Sequence, residues 1–443
     1  MSSTEYISVQ FSAYETCCVA VKTVVRPLHA LLLAPALLFL ATLTVMLFRP
    51  PDLQFYALDR IAFLLLAFAV LMRCLVLRRP LVIIPSVTWP MVGMLCLVLF
   101  SALSQPFDSQ TWSLLAAKFI VPFALFHLSL LVFDNPQALR RFEVFSLVVL
   151  AYLCFTAVAF LVGAKALIFP RFILDESLGI HADRARGPFL QAVPNGVSLT
   201  ILGLIALDSF RRAQLRGLWA VLLLVALPLA ILATMTRAVW LSFAVATFLL
   251  LFHTSSKRLR RAGLWLVVAG TTGLLVALSF ADMQTSLQDR AEERGPVEIR
   301  WGVYKAGWQM FLERPLSGWG TNQMPSELAN RMTDYHLQAF WVHNTYLEIL
   351  VEHGIVGIIF YGLIVGGLFR LGMKRPRIKY PEGSFPDTEF REIWPIILGV
   401  YVFNATFVVM NYQFVNGLLF TLAGMLAAQN RTRPQPRKYG IAS

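Results

Sequence analysis

Charge is scarce in this sequence. Asp, Glu, Lys and Arg make up 14% of its 443 residues, where a soluble domain carries about 25%. With 57% hydrophobic residues and a mean hydropathy of +0.66, this excludes an ordinary soluble domain and fits a polytopic membrane protein. Cysteine is scarce too. Of Cys17, Cys18, Cys74, Cys96 and Cys154, three lie in apolar runs, and no spacing resembles a metal site or a disulfide framework. The sequence has no Walker loop, no metal-ligand cluster, no Gly-x-Ser-x-Gly elbow and no Asp-x-Asp pair in its outward segments. Neither ATP hydrolysis nor a strong metal site is indicated. No internal repeat is evident, and no cleavable signal peptide: the first apolar run follows a polar stretch with Glu5, Glu15, Lys22 and Arg26.

What it has is apolar runs. A bilayer core takes about 20 apolar residues per helix. Spans fall near 27–48, 57–77, 81–101, 112–133, 142–169, 190–208, 218–233, 237–253, 262–280, 344–370, 393–410 and 413–428. The expected fold is an all-α integral membrane protein of about twelve transmembrane helices with both termini cytoplasmic. A cytoplasmic segment covers 1–26, helices one to nine 27–280, and a long periplasmic loop with short helices 281–343. Helices ten to twelve cover 344–428 and a cytoplasmic tail 429–443.

The net charge of +13 would suggest nucleic acid in a soluble protein. Here no nucleic acid partner is expected, because the cations collect in alternate loops, as the positive-inside rule requires. Those loops hold Arg78 and Arg79, Arg140 and Arg141, then Arg211, Arg212 and Arg216. Next come Lys257, Arg258, Arg260 and Arg261, then Lys374, Arg375, Arg377 and Lys379, and the tail adds Arg431, Arg433, Arg437 and Lys438. The outer loop 102–111 has neither Lys nor Arg. Trp112, Trp219, Trp341 and Trp394 sit near expected span ends, where an amphipathic ring prefers the interface.

The informative residues break that rule. The outer segment 170–189 carries Arg171, Arg184 and Arg186. The tight outer turn after the seventh span holds Thr234, Thr236 and Arg237. The long outer loop contains Arg290, Arg294, Arg300, Lys305, Arg314, Arg331, His336 and His343. Cations gathered on the outer face call for an anionic partner such as phosphate. The plainer alternatives are lipid headgroups, or pairing of Arg184 or Arg186 with Asp183 or Asp175. Arg237 opens a helix in a turn too short to be a solvated domain, and an ionisable residue at a membrane edge marks a functional site unless it snorkels.

His343 stands where the long loop re-enters the membrane, with His336 seven residues earlier as a rival on the same helical face. Pro296 to Leu312 reads as a helix. Its stripe of Trp301, Tyr304, Trp308 and Phe311 is expected to pack against the rest of the protein, with the membrane surface as the alternative. Lys118, inside the fourth span, faces either a polar cavity or the interface by snorkelling. Gly362 and Gly366 suit helix packing, within one chain sooner than between chains.

Taken in order, these motifs resemble the O-antigen ligase and polymerase superfamily. Arg184-x-x-Gly187-x-Phe189, followed by Pro194 and Asn195, is similar to its first motif, and Thr236-Arg237 at a helix head to its second. Arg300, Trp301, Tyr304, Gly307 and Trp308, with Pro315, Gly318 and Gly320, resemble its long periplasmic loop. His343, Asn344, Tyr346, Val351, Gly354 and Gly357 resemble its loop-to-helix junction. The resemblance implies a metal-independent glycosyltransferase of the bacterial inner membrane, without a cofactor and with its active site facing the periplasm. Its donor would be a glycan on undecaprenyl diphosphate. Its acceptor would be lipid A–core for a ligase, or a growing lipid-linked glycan for an O-antigen or exopolysaccharide polymerase, with membrane lipid around both. On this reading Arg184 and Arg237 stabilise the diphosphate leaving group and His343 is the base, while Arg186, Arg300, Asn344 and His336 assist binding. Arg186 stands directly before Gly187, where many relatives have a small residue, so either arginine of the pair fits the role. Rival readings are a multi-pass transporter or flippase of lipid-linked sugars, which should place its charges at the bilayer midplane on broken helices, and a non-catalytic scaffold.

Overall fold

The computed structural model describes residues 35–49, 57–76, 82–279, 295–332, 342–374 and 383–430, and singly 285, 376 and 377. Among them all regular structure is helical. The first nine long helices are α1 Pro35–Leu47, α2 Leu58–Val76, α3 Pro85–Leu103, α4 Ser109–Val132, α5 Pro136–Leu161, α6 Ala192–Arg211, α7 Gly217–Ala233, α8 Arg237–Phe252 and α9 Lys257–Leu278. Two shorter helices follow, α10 Gly295–Glu313 and α11 Met324–Arg331. The last three are α12 Thr345–Met373, α13 Phe390–Asn404 and α14 Gln413–Gln429.

Each apolar stretch named above holds one helix. By length and composition α3, α4, α5, α6, α9 and α12 are able to cross a membrane, six helices among the described residues, and α1, α7 and α8 are shorter apolar helices. The other spans of the expected twelve, and the side on which the termini lie, rest on the sequence. Several boundaries move by five residues or more: the fifth helix runs from Pro136 to Leu161, with two short 3-10 turns in 165–174 instead of a span reaching 169, α9 starts at Lys257 instead of 262, and α13 stops at Asn404 instead of 410.

Burial follows the pattern of side chains. In α14 all residues are buried, and α6 is buried at nearly every position, as expected of helices apolar all round at the centre of a bundle. α14 packs on α4, and α6 lies against α5 and α13. Glycines permit the closest approaches, Gly424 on the Phe126 carbonyl and Ser129, and Gly372 on the Trp394 ring. α9 is the opposite case, with Leu264, Trp265, Val267, Val268 and Leu275 exposed as a lipid-facing surface.

Three expectations about single residues change. Trp394 is fully buried and donates its ring N–H to the Leu368 carbonyl at 3.0 Å, so it is a core residue and not an interface ring. Gly362 and Gly366 face open space, so they do not pack within this chain. In α10 the buried face is Val303, Ala306 and Met310, seated on Met324, Leu328 and Met332. Trp301 and Trp308 of the aromatic stripe are exposed, with only Tyr304 packed against that small core. Trp341 lies outside the described residues.

A candidate active site at one end of the bundle

The loop before α6 is built around Arg186. Its side chain is 1% exposed, and its guanidinium donates to the carbonyls of Ile173, Leu178 and Asp175. One residue thereby folds the whole 171–190 segment. Arg184 is turned the other way, part-exposed, with Asp183 3.9 Å from its Nε. Between them the Ala185 N–H donates to the Ala233 carbonyl at 3.0 Å, and the Ala185 carbonyl accepts from Asn195 Nδ2 at 2.8 Å. Gly187 is required here: it has φ +56°, and a Cβ would meet Asn195 Oδ1 at 2.7 Å. The first motif is thus a clamp in which Asn195 of α6 fixes the loop, and the loop fixes the end of α7.

Ala233 begins the turn that carries Arg237. Met235 within it has φ +45°, an uncommon conformation for a residue with a side chain. Thr236 occupies the N-cap of α8 without capping it; its hydroxyl donates to the Thr234 carbonyl at 2.8 Å. Arg237 is exposed on the first turn, where helix amides favour an anion. The hydrogen bond from Ala185 to Ala233 therefore brings the two arginine-bearing segments side by side.

The third element is the start of α12. Asn344 is its N-cap, and its side chain accepts from the amides of Tyr346 and Leu347. Thr345 is anchored on the turn after α13: its N–H donates to the Ala405 carbonyl at 2.8 Å and its hydroxyl to the Val408 carbonyl at 2.8 Å. Tyr346 donates to the Val402 carbonyl at 2.7 Å. His343, just outside the helix, has φ +49° and is half-buried. Burial first, and then the Arg300 guanidinium, hold its pKa below the ordinary 6.5. A neutral imidazole at pH 7 is a proton acceptor. His336 lies outside the described residues.

These parts share one end of the bundle. α8 packs on α13, and Glu392 near the start of α13 accepts from the Ser255 hydroxyl and amide just past the end of α8. The two helices are antiparallel, so the Arg237 end of α8 adjoins the Asn404 end of α13, whose turn holds Thr345.

Below His343 is a constellation that the sequence showed only as Lys118 and two unremarked glutamates. Lys118 sits on a widened π turn, Ala116–Ile120, directly before Pro122, whose ring crowds the carbonyl four residues back. Its Nζ lies 2.8 Å from Glu348 Oε1 and 3.5 Å from Glu352 Oε2, and all three are buried. His353 is next, its Nε2 3.7 Å from Glu352, with neither ring nitrogen hydrogen-bonded. Lys118 thus faces a polar interior and does not snorkel.

α12 breaks immediately after. Gly354 has φ 64° and ψ −164°, and a Cβ there would strike the Leu316 carbonyl. The backbone groups freed by the break are taken by the segment after α10. Trp319 and Gly320 donate to the carbonyls of Val351 and Glu352, both at 2.9 Å, and the Ile355 N–H donates to the Pro315 carbonyl at 2.8 Å. Irregular backbone within a membrane helix persists only when its polar groups are satisfied by protein. The glycine motifs at 318–320 and 354–357 are therefore two halves of one joint.

Residues 220–362 match the family model described as O-antigen ligase. This supports membership in the O-antigen ligase superfamily. The match supports a membrane glycosyl-transferring function in O-antigen assembly, in a multi-pass membrane protein. No curated protein matches the sequence. The matched O-antigen ligase region runs from the first turns of α7 into α12 and includes Arg237, Arg300, His343, Glu348, Glu352 and both halves of the glycine joint. Arg184 and Lys118 come from outside it and are carried to it by the contacts described above. Among the described residues no three His, Cys, Asp or Glu side chains converge as metal ligands do.

Proposed function

We propose that this protein transfers a glycan from a polyprenyl diphosphate to a hydroxyl of an acceptor saccharide at the periplasmic face of the bacterial inner membrane. His343 removes the acceptor hydroxyl proton. The freed oxygen bonds to the anomeric carbon while the bond from that carbon to the diphosphate breaks. The electron pair leaves on the diphosphate oxygen, which gains one negative charge. Arg184 and Arg237, on adjoining segments, stabilise that charge, as fixed cations in a water-poor site do. Arg300 keeps His343 neutral between turnovers. Arg186 and Asn344 position the loop and the helix start, because their polar groups are committed to backbone. Lys118 with Glu348 and Glu352 holds the first two turns of α12 in register beneath the base.

The observation that carries this reading is convergence. The arginine segments, tied by the Ala185–Ala233 hydrogen bond, share one end of the bundle with a His of lowered pKa on strained backbone. The broken α12 with its buried charges is the one feature that favours a transporter. Its carboxylates lie within the first eight residues of a 29-residue helix and are paired with Lys118, and its open backbone groups are closed by the chain's own loop.

The test is a gel of lipopolysaccharide and lipid-linked glycan from a deletion strain complemented with wild type or Arg237→Ala. Bare core with accumulated lipid-linked polymer identifies a ligase, and core capped by a single repeat identifies an O-antigen polymerase. Unchanged lipopolysaccharide with loss of another surface polymer identifies a polymerase of that polymer. Full restoration by Arg237→Ala contradicts the assignment of that residue and favours transport.

A further inference from the structure

At the opposite end of the bundle, Arg216, Arg258 and Arg261 line a cavity of about 530 Å³ with Phe210, Leu215 and Trp265. It lies between the first turns of α7 and α9, and no carboxylate lines it. The neighbouring Arg211 and Arg212 are fully engaged by Asp208, Asp387, Glu389 and Glu143. Arg216, Arg258 and Arg261 have no carboxylate within ion-pair reach among the described residues. A guanidinium carries five N–H donors. Arg258 uses one on the Arg211 carbonyl and Arg216 one on the Ala213 carbonyl, and both residues line the cavity. Three cations around one concavity, with their local carboxylates spent elsewhere, fit a phosphate group.

We infer that this cavity binds the headgroup phosphate of an anionic glycerophospholipid, separate from any glycan donor at the His343 end. The walls argue for a lipid over a soluble phosphate. Leu218 and Trp219 on α7, and Leu264 and Trp265 on α9, are exposed beside the opening, so the phosphate site is continuous with the acyl-facing surface. The 17 residues of α7 make a helix of roughly 25 Å, shorter than the roughly 30 Å hydrocarbon core. That shortness draws the headgroup region in toward Arg216. The loops at this end are the basic ones of the sequence, which places the cavity in the cytoplasmic leaflet.

The experiment is native mass spectrometry of the full-length protein released from neutral detergent, titrated with phosphatidylglycerol or with phosphatidylcholine of the same acyl chains. One phosphatidylglycerol should bind at least tenfold more tightly than phosphatidylcholine. Arg258→Gln with Arg261→Gln should weaken it roughly 25-fold, about fivefold per arginine, and leave phosphatidylcholine unchanged. Glycerol 3-phosphate at the same concentration should not displace it. Equal binding of the two lipids by wild type overturns the proposal whether or not the variant folds. So does unchanged phosphatidylglycerol binding in a folded double variant. Displacement by glycerol 3-phosphate overturns the lipid assignment in favour of a soluble phosphate compound. None of these readouts depends on glycosyl transfer.

Discussion

The protein buries two charge clusters, and they are built differently. At the basic end, Arg211 at the end of α6 and Arg212 just past it bind Asp208, Glu143, Asp387 and Glu389. Every carboxylate oxygen of Asp208 and Glu143 has a donor, Arg140 and Ser209 included. This saturated network ties α5, α6 and the approach to α13 together. At the His343 end, Lys118 faces two carboxylates, and Glu348 Oε2 and both ring nitrogens of His353 are buried without hydrogen bonds. Beside it lie a broken helix and left-handed backbone at Met235 and His343. Saturation marks the end that holds the fold. The cluster with unspent polar capacity lies beside the candidate site.

Substitutions sharpen this contrast. The largest effect is expected for His343→Ala, which should lower glycan transfer by about 10²–10⁴-fold, the range of general acid–base catalysis, with membrane level and melting unchanged. Wild-type product yield would refute the assignment. Arg212→Ala should do the reverse. It leaves Glu143 and Asp208 short of a partner and should cost about 3–5 kcal/mol, seen as lost protein in the membrane but normal transfer per folded molecule. Replacing the outer cluster as a unit, with Lys118→Met, Glu348→Leu and Glu352→Leu, should change stability by no more than about 2 kcal/mol, since apolar replacement of a buried ion pair is often near neutral. Transfer should nevertheless fall in kcat with KM kept. A parallel fall in melting and yield would make the cluster purely structural.

The smallest effect concerns pH. His343 must be neutral to accept a proton, and its pKa lies below 6.5, so activity should already be on its plateau at pH 7 and fall only on acidification below 6.5. Arg300→Gln removes one of the two causes of that depression and should move the acidic limb upward, toward but not past 6.5. A limb that stays in place, or moves down, breaks the coupling between Arg300 and His343.

Much of this was legible in the residues. The apolar runs located each long helix, Pro296 marked the start of α10 to within one residue, and Arg184, Arg237 and His343 stood out by disobeying the charge rule. What sequence reasoning missed are pairings across long separations. Lys118 meets Glu348 across 230 residues, and no periodicity announces that two helices so distant share a face. Arg186 and Arg184 look equivalent in the sequence. Only the fold shows that one guanidinium is filled by backbone carbonyls while the other is turned away from them. The glycines at 318, 320, 354 and 357 were visible as a pattern, but only the fold shows that Gly318 and Gly354 meet backbone across a joint, while Gly320 makes room for Gln105 and Ser101. Trp394 misled because an aromatic at a span end serves core and interface equally well, and the α10 stripe misled because Val303, Ala306 and Met310 form a rival apolar face on the same helix.

The most direct test places the two ends side by side in purified protein in nanodiscs. Release of polyprenyl diphosphate from lipid-linked glycan, per folded molecule, is measured for Arg237→Ala and Arg212→Ala. The account predicts a loss of at least about 100-fold for Arg237→Ala, the scale of one missing charge-stabilising donor, and near wild-type turnover for the Arg212→Ala molecules that remain folded. Normal release by Arg237→Ala, with turnover lost in folded Arg212→Ala, would put the chemistry at the wrong end and contradict it.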